Sequence, residues 1–347
     1  MGVACDRAGQ GATYPVVMAR SHLTLAALAT AAVEGLDVVR TARFGGTGTG
    51  DFDSSLLTGR DGRHWVIRVP RGERAEAEQS AELVALRALT PGVRARLPFA
   101  VSTFAGQVPV DGTRAIVLEF VYGDKVAQRS LTPQLGAAVG EAIAAIHSLP
   151  ASFIGDAGLP SRSAVEQVSV IGQLVGRVAA TDLVPGALLG RWMRASEDTA
   201  LWQYAPTVVN GALGGESFLS AEGRITGVLG WHALRVDDPA VDLQWVLGAP
   251  GEGVADAAFE AYSVARPGAD RRLRDRARLL SELELARWLL HGVQSRDQEV
   301  VDDAVGMMRT LVEELSSEHR QPITAPVPEP LGVDEVEELL ERTPHAS

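Results

Sequence analysis

One stretch, Pro206 to Leu243, limits what this chain can become more than any other. It holds two short β-prone runs, Thr207 to Val209 and Ile225 to Leu229, on either side of the segment Asn210-Gly211-Ala212-Leu213-Gly214-Gly215-Glu216-Ser217. It closes on Asp238-Pro239-Ala240-Val241-Asp242-Leu243. Aliphatic, β-branched runs bounded by glycines read as strand, loop and returning strand.

That frame resembles the catalytic and metal-binding segments of the aminoglycoside and macrolide phosphotransferases, a kinase-like family. In the family the first segment runs His-Gly-Asp, four residues, Asn. The second runs Ile-Asp-Phe or Ile-Asp-Trp, followed by Gly-Asp-Pro-Ala-x-Asp-Leu. Gly211, Leu213, Leu219, Trp231 and the whole Asp238 to Leu243 run are kept. Asn210 stands in place of the His, Ala212 in place of the catalytic Asp, Ser217 in place of the metal-binding Asn, and Gly230 in place of the second metal-binding Asp. A kinase needs a carboxylate to orient the attacking hydroxyl, and Asp and Asn ligands for the magnesium that neutralises charge on the phosphoryl group. Ala and Gly do neither. The resemblance therefore implies an α+β, two-lobed protein-kinase-like fold with a small β-rich N-lobe and a larger helical C-lobe, whose catalytic and metal positions are vacated.

The rest of the chain bounds this reading. Its 347 residues, 46% hydrophobic and 22% charged, suffice for two lobes with a sizeable core. A net charge of −12 argues against a nucleic-acid partner. Cys5 is the only cysteine, so no intrachain disulfide forms and a cytoplasmic location is expected. Lys125 is the only lysine, so any phosphate-binding base is Lys125 or an arginine. The apolar run Leu23 to Val33 is too short to span a bilayer and is predicted to be a helix, and no membrane span is expected.

Taken in order, residues 1–17 read as a flexible tail, 18–120 as the N-lobe, 121–320 as the helical C-lobe, and 321–347 as a Pro-rich linker with a short acidic helix. Strands are expected near Asp37 to Arg40, Ser54 to Thr58 and His64 to Val69, the last two joined by an Asp61-Gly62 turn. The glycines before them, Gly46 and Gly48 among them, let backbone N–H groups approach phosphate, or serve as a flexible connector. The run Trp65 to Arg71 resembles the family's third strand, which makes Arg68 the phosphate-pairing base. The helix Glu73 to Leu89 offers Glu82 as its partner, with Glu78 one turn earlier as second choice; either glutamate facing water is the competing reading. Further strands are expected near Ala100 to Phe104 and Arg114 to Phe120. The segment Ile116 to Gly123 resembles the lobe-connecting hinge, where backbone groups of Glu119 and Val121 meet an adenine.

Beyond Pro133 helices dominate: Leu135 to Leu149, two in Ser161 to Arg194 broken at Pro185-Gly186, then Asp256 to Val264, Arg271 to Val293 and Gln298 to Ser316. His147 reads as a packed core histidine, and the arginines of Arg271 to Arg278 as a solvated helix face. Asp334 to Arg342 has a capping signal and an apolar stripe, which allows docking on its own chain, fraying, or a protein partner.

The expected function is that of a phosphotransferase-like protein without catalysis, acting by binding a nucleotide, a small molecule or a protein. No cofactor is certain; ATP or GTP held without magnesium is the candidate. The alternative is an active ATP- or GTP-dependent small-molecule kinase with unusual metal ligands, for which Glu216, His232 and Asp237 are the available replacements.

Overall fold

The computed structural model describes residues 20–45 and 50–317. Gly46 and Gly48, the tail over 1–17 and the linker and helix over 321–347 lie outside the described residues.

Alternation builds the first lobe. Strands β1 (Val38–Arg43), β2 (Phe52–Gly59) and β3 (His64–Pro70) are antiparallel neighbours. In β3, Trp65, Ile67 and Val69 are buried on one face, leaving Val66 and Arg68 for the other. Helix α1 (His22–Ala32), capped by the Ser21 side chain, covers the first face and buries Leu25 and Ala29 against Leu57, Trp65, Ile67 and Val117. The opposite face takes α2 (Glu73–Ala88), whose Leu83 and Leu86 pack with Ile116 and Leu118. A short α3 (Pro91–Arg94) leads to β4 (Phe104–Val110) and β5 (Thr113–Glu119), completing a sheet of order β1-β2-β3-β5-β4.

After the hinge come β6 (Asp124–Lys125), α4 (Pro133–His147), α5 (Ser152–Asp156), α6 (Ala164–Ala179) and α7 (Gly186–Glu197). The central segment supplies β7 (Thr207–Val209), β8 (Phe218–Ala221), β9 (Arg224–Val228), β10 (Arg235–Asp237) and α8 (Ala240–Leu243). The chain then runs through α9 (Val254–Ala265), α10 (Leu273–Ser295) and α11 (Gln298–Ser316). The α4 and α9 backbones approach so closely that a Cβ on Gly140 would lie 2.1 Å from the Ala258 carbonyl oxygen. The fold is thus α+β, with a small β-rich lobe and a larger helical one. No described helix is long and apolar enough to cross a membrane.

Three expectations change. The strand placed near Ala100 to Phe104 begins at Phe104, and Ala100 makes only an isolated bridge to Gly227. Gly106 and Pro109 suggest a break, but β4 is an edge strand, where a missing N–H is tolerated. The run at Thr207 does not pair with the one at Ile225: β7 pairs with β10, and β9 with β8. The third change concerns the arginine cluster, which is not wholly solvated. Arg276 is fully buried, with its Nε 2.8 Å from Asp238 Oδ2 and its Nη2 2.8 Å from Asp270 Oδ2. Burial works against its charge, yet Asp270 and Asp238 hold its pKa above the usual arginine value.

Truncating one partner of such a pair strands the other. Arg276→Met should lower unfolding free energy by about 3–5 kcal/mol in a denaturant titration, and adding Asp238→Asn should recover part of the loss.

Candidate functional site

The two lobes enclose a cleft of about 660 Å³, with Val66 and Leu118 on the small-lobe side and Leu219 and Leu229 on the large-lobe side. Strand alternation turns Arg68 toward it, and helical spacing brings Glu82 of α2 to meet the guanidinium in an ion pair. Glu82 is buried, and the Arg68 guanidinium also lies 5.1 Å from the centroid of the Phe52 ring. Glu78 does not join this pair; it lies 3.7 Å from His232 Nδ1. Of the two glutamates, the structure pairs Arg68 with Glu82.

At the hinge, the Glu119 N–H donates to the Thr103 carbonyl and the Phe120 N–H to the His64 carbonyl. The Glu119 carboxylate is taken by Arg63. Val121 is buried against Gly227, where a Cβ would come within 2.4 Å of Val121 Cγ1. The adjacent Tyr122 carbonyl accepts from Thr226 Oγ1 at 2.9 Å, which ties the hinge to the β8–β9 hairpin. Arg68, Glu82, Glu119 and Val121 therefore all face one cleft. Phe44, Phe52 and Phe120 line it as well, and no motif had marked them.

Beneath the cleft, the loop after β7 hangs on Asp242. Its Oδ2 accepts the Asn210 N–H and its Oδ1 the Gly211 N–H, each at 2.7 Å. His147 Nε2 lies 3.2 Å from the same carboxylate, and His147 Nδ1 lies 2.9 Å from the Tyr262 hydroxyl. Tyr262 in turn accepts from Arg266. A neutral His147 satisfies this chain by donating from Nε2 to Asp242 and accepting from Tyr262. The Asn210 side chain is used inside the loop, donating to the Gly230 carbonyl and accepting the Ala212 N–H.

These residues do not fit a magnesium ion. Ala212 presents a methyl group and Gly230 no side chain, and Ser217 Oγ accepts the Gly214 N–H as a local cap. Of the three possible replacements, Asp237 is fully buried and held by Arg162 and Arg235. Glu216 is exposed at the lining of the cleft and paired with Lys125 at 3.1 Å. His232 faces Glu78. Among the described residues no three His, Cys, Asp or Glu side chains converge on a point. The acids of the helical lobe are also engaged. Glu282 is buried, accepting from Arg191 and the Trp192 indole, Glu284 pairs with Arg287, and Asp297 caps α11.

Burial holds His147 below the ordinary imidazole value, against the pull of Asp242. The unfolded chain therefore takes up a proton at a pH where the folded chain does not, and stability is lost as the pH falls below the unfolded value. Thermal melts at a series of pH values should show Tm falling below about pH 6.5, and the fall should be shallower in His147→Gln.

Comparison with known proteins agrees with this geometry. The model of the phosphotransferase enzyme family matches residues 47–280. Among solved structures, the macrolide 2'-phosphotransferase MphH from Brachybacterium faecium, as apoenzyme, superposes with a TM-score of 0.67 at 21% identity, over 83% of this chain and 98% of that one. A macrolide 2'-phosphotransferase type I gives 0.65 at 26% identity, over 82% and 96%. APH(2")-IIia in complex with GDP and kanamycin gives 0.66 at 17% identity, over 85% and 99%. Among curated proteins, none matches the chain. With two thirds of its length matched by the family model, the chain belongs to the phosphotransferase enzyme family.

Proposed function

We propose that this family member does not transfer phosphoryl groups and acts through occupancy of its inter-lobe cleft, by a purine ligand of the ATP or GTP type held without magnesium. The observation that carries the reading is the pair Ala212 and Gly230: neither position offers a carboxylate, and among the described residues no three His, Cys, Asp or Glu side chains converge on a point. Loss of a catalytic base slows a reaction by roughly 10² to 10⁴. Loss of metal-held charge stabilisation removes several kcal/mol more, on the order of another 10² to 10³. From roughly 1–100 per second for a working kinase, turnover falls below about one per minute.

Ligand binding is supported by the intact cleft, with its Arg68–Glu82 pair and hinge. Solved relatives are described with GDP and with ADP. An active enzyme with Glu216 as stand-in metal ligand needs that side chain, which lines the cleft, to leave Lys125.

Radiolabelled ATP and GTP, incubated with magnesium and panels of aminoglycosides and macrolides, should give no transfer above background. Magnesium-dependent labelling of any acceptor that is lost in Glu216→Ala would establish the active reading instead.

A further inference from the structure

A groove of about 500 Å³ runs along α11 from its turn with α10. Gln298, Val301, Asp302, Val305 and Arg309 line it from α11, spaced three or four residues apart on one side of the helix. Leu183, from the connection between α6 and α7, and Val293, from the last turn of α10, line it as well and stay 41% and 42% exposed. Such side chains on a soluble chain call for a cover when they share one groove. Arg296 lies at the turn and Arg309 about three turns along α11. Both are exposed, and among the described residues neither has an ion-pair partner. Asp297 and Asp302 balance these charges, the first capping α11 and the second accepting from Gln298 Nε2 at 2.8 Å.

A second groove on the same helix hairpin has the opposite electrostatic character. It is lined by Glu282, Asp303 and Glu314, and among the described residues that line it there is no cation. An acidic occupant would be repelled there and accepted in the first groove.

The chain supplies such an occupant itself. Past α11 the sequence runs through Pro322, Pro326, Pro328 and Pro330 to the segment Val333 to Arg342, which lies outside the described residues. That segment carries Asp334, Glu335, Glu337, Glu338 and Glu341 against Arg342, with Val333, Val336, Leu339 and Leu340 at helical spacing. A helix over Asp334 to Arg342 is about 13 Å long, and the floor of the groove from Gln298 to Arg309 about 16 Å. The Pro-rich connection over 318–332 spans up to about 45 Å when extended. Helix α11, with 19 residues, is about 28 Å long, so the connection can return the segment to the α10–α11 turn.

We infer that residues 333–342 dock as a helix in the groove beside the α10–α11 turn, with Val336, Leu339 and Leu340 against Leu183, Val293 and Val305 and the acids near Arg296 and Arg309. The tether holds the segment at a local concentration on the order of millimolar, so a modest apolar contact suffices. The acidic stripe is then an internal brace of the helical lobe, and it is withheld from other proteins. This inference is independent of what occupies the inter-lobe cleft and of whether the chain transfers phosphate.

Hydrogen exchange of the full chain, read by mass spectrometry, tests it. An isolated helix this short is marginal in water, so lasting protection there requires docking. Amides of residues 334–342 should exchange at least about tenfold more slowly than in an unstructured peptide, at a rate independent of protein concentration. Val293→Asp should remove the protection. Arg296→Glu combined with Arg309→Glu should reduce it about threefold. Met307→Asp, in the acidic groove, should leave it within roughly a factor of two. Exchange at the unstructured rate, which a free tail or one awaiting another protein would show, overturns the inference. Protection that rises with protein concentration does so too, because it would make a second copy the occupant. Protection that is lost in Met307→Asp and kept in Val293→Asp overturns it as well.

Discussion

The carboxylate of Asp242 is the fixed point of the large lobe. It is fully buried, and its two oxygens take two consecutive backbone N–H groups of the loop after β7 and face the His147 ring. A buried carboxylate is stable as an anion only when its lone pairs are filled, and two amides and an imidazole fill them. The same bonds set the direction in which Asn210, Gly211 and Ala212 leave the strand. Gly211 adopts φ +85°, and a Cβ there would lie 2.5 Å from the Ala233 carbonyl oxygen, so the loop favours glycine at that point. Loop geometry in this chain is thus a property of Asp242 and Gly211, and it is independent of what residue 212 can do chemically.

A second charged layer sits just beneath. Asp237 is shared between Arg162 and Arg235, while Asp238 and Asp270 enclose Arg276. Arg276 also lies 4.4 Å from the Tyr204 ring centroid and donates to the Leu201 carbonyl, so one guanidinium links α10 to the segment before β7 and to the start of α8. These interactions give the Asp238-Pro239-Ala240-Val241-Asp242-Leu243 run a structural role of its own. Its acids hold the lobe together: removing Asp238 would leave buried Arg276 with Asp270 as its remaining carboxylate partner, and removing Asp242 would strand two backbone N–H groups.

What the sequence made legible follows local rules. The strand and helix that carry Arg68 and Glu82 were legible from local pattern, while the choice of Arg68 and of Glu82 over Glu78, one turn apart on the same helix face, came from the family resemblance. The long helices of the second lobe were legible for the same reason. The pairing of Thr207–Val209 with Arg235–Asp237 was not, since two three-residue strands carry too little pattern to declare a partner. Nor was the buried state of Arg276: in a run of arginines, only the three-dimensional position of Asp238 and Asp270 singles one out. The edge-on contact of Phe44 with Phe120 was hidden likewise, because Phe44 is far from the hinge in sequence and alone reads as an ordinary apolar residue.

The vacated positions differ in how readily they could be refilled. Ala212 precedes an apolar residue on a loop whose backbone is already held by Asp242, so a longer side chain there meets a fixed frame. Gly230 has φ +73° with open space around its α-carbon. Nothing collides with a side chain at that point, but the left-handed backbone itself disfavours one by about 1–2 kcal/mol, less for an aspartate. At the same time the Asn210 amide donates to the Gly230 carbonyl and anchors that conformation. An aspartate at residue 230 would therefore inherit a backbone shaped around a glycine and an asparagine. On the reading proposed above, restoring the metal ligands would mean changing residues 217 and 230 together, and restoring the base would mean changing residue 212 as well.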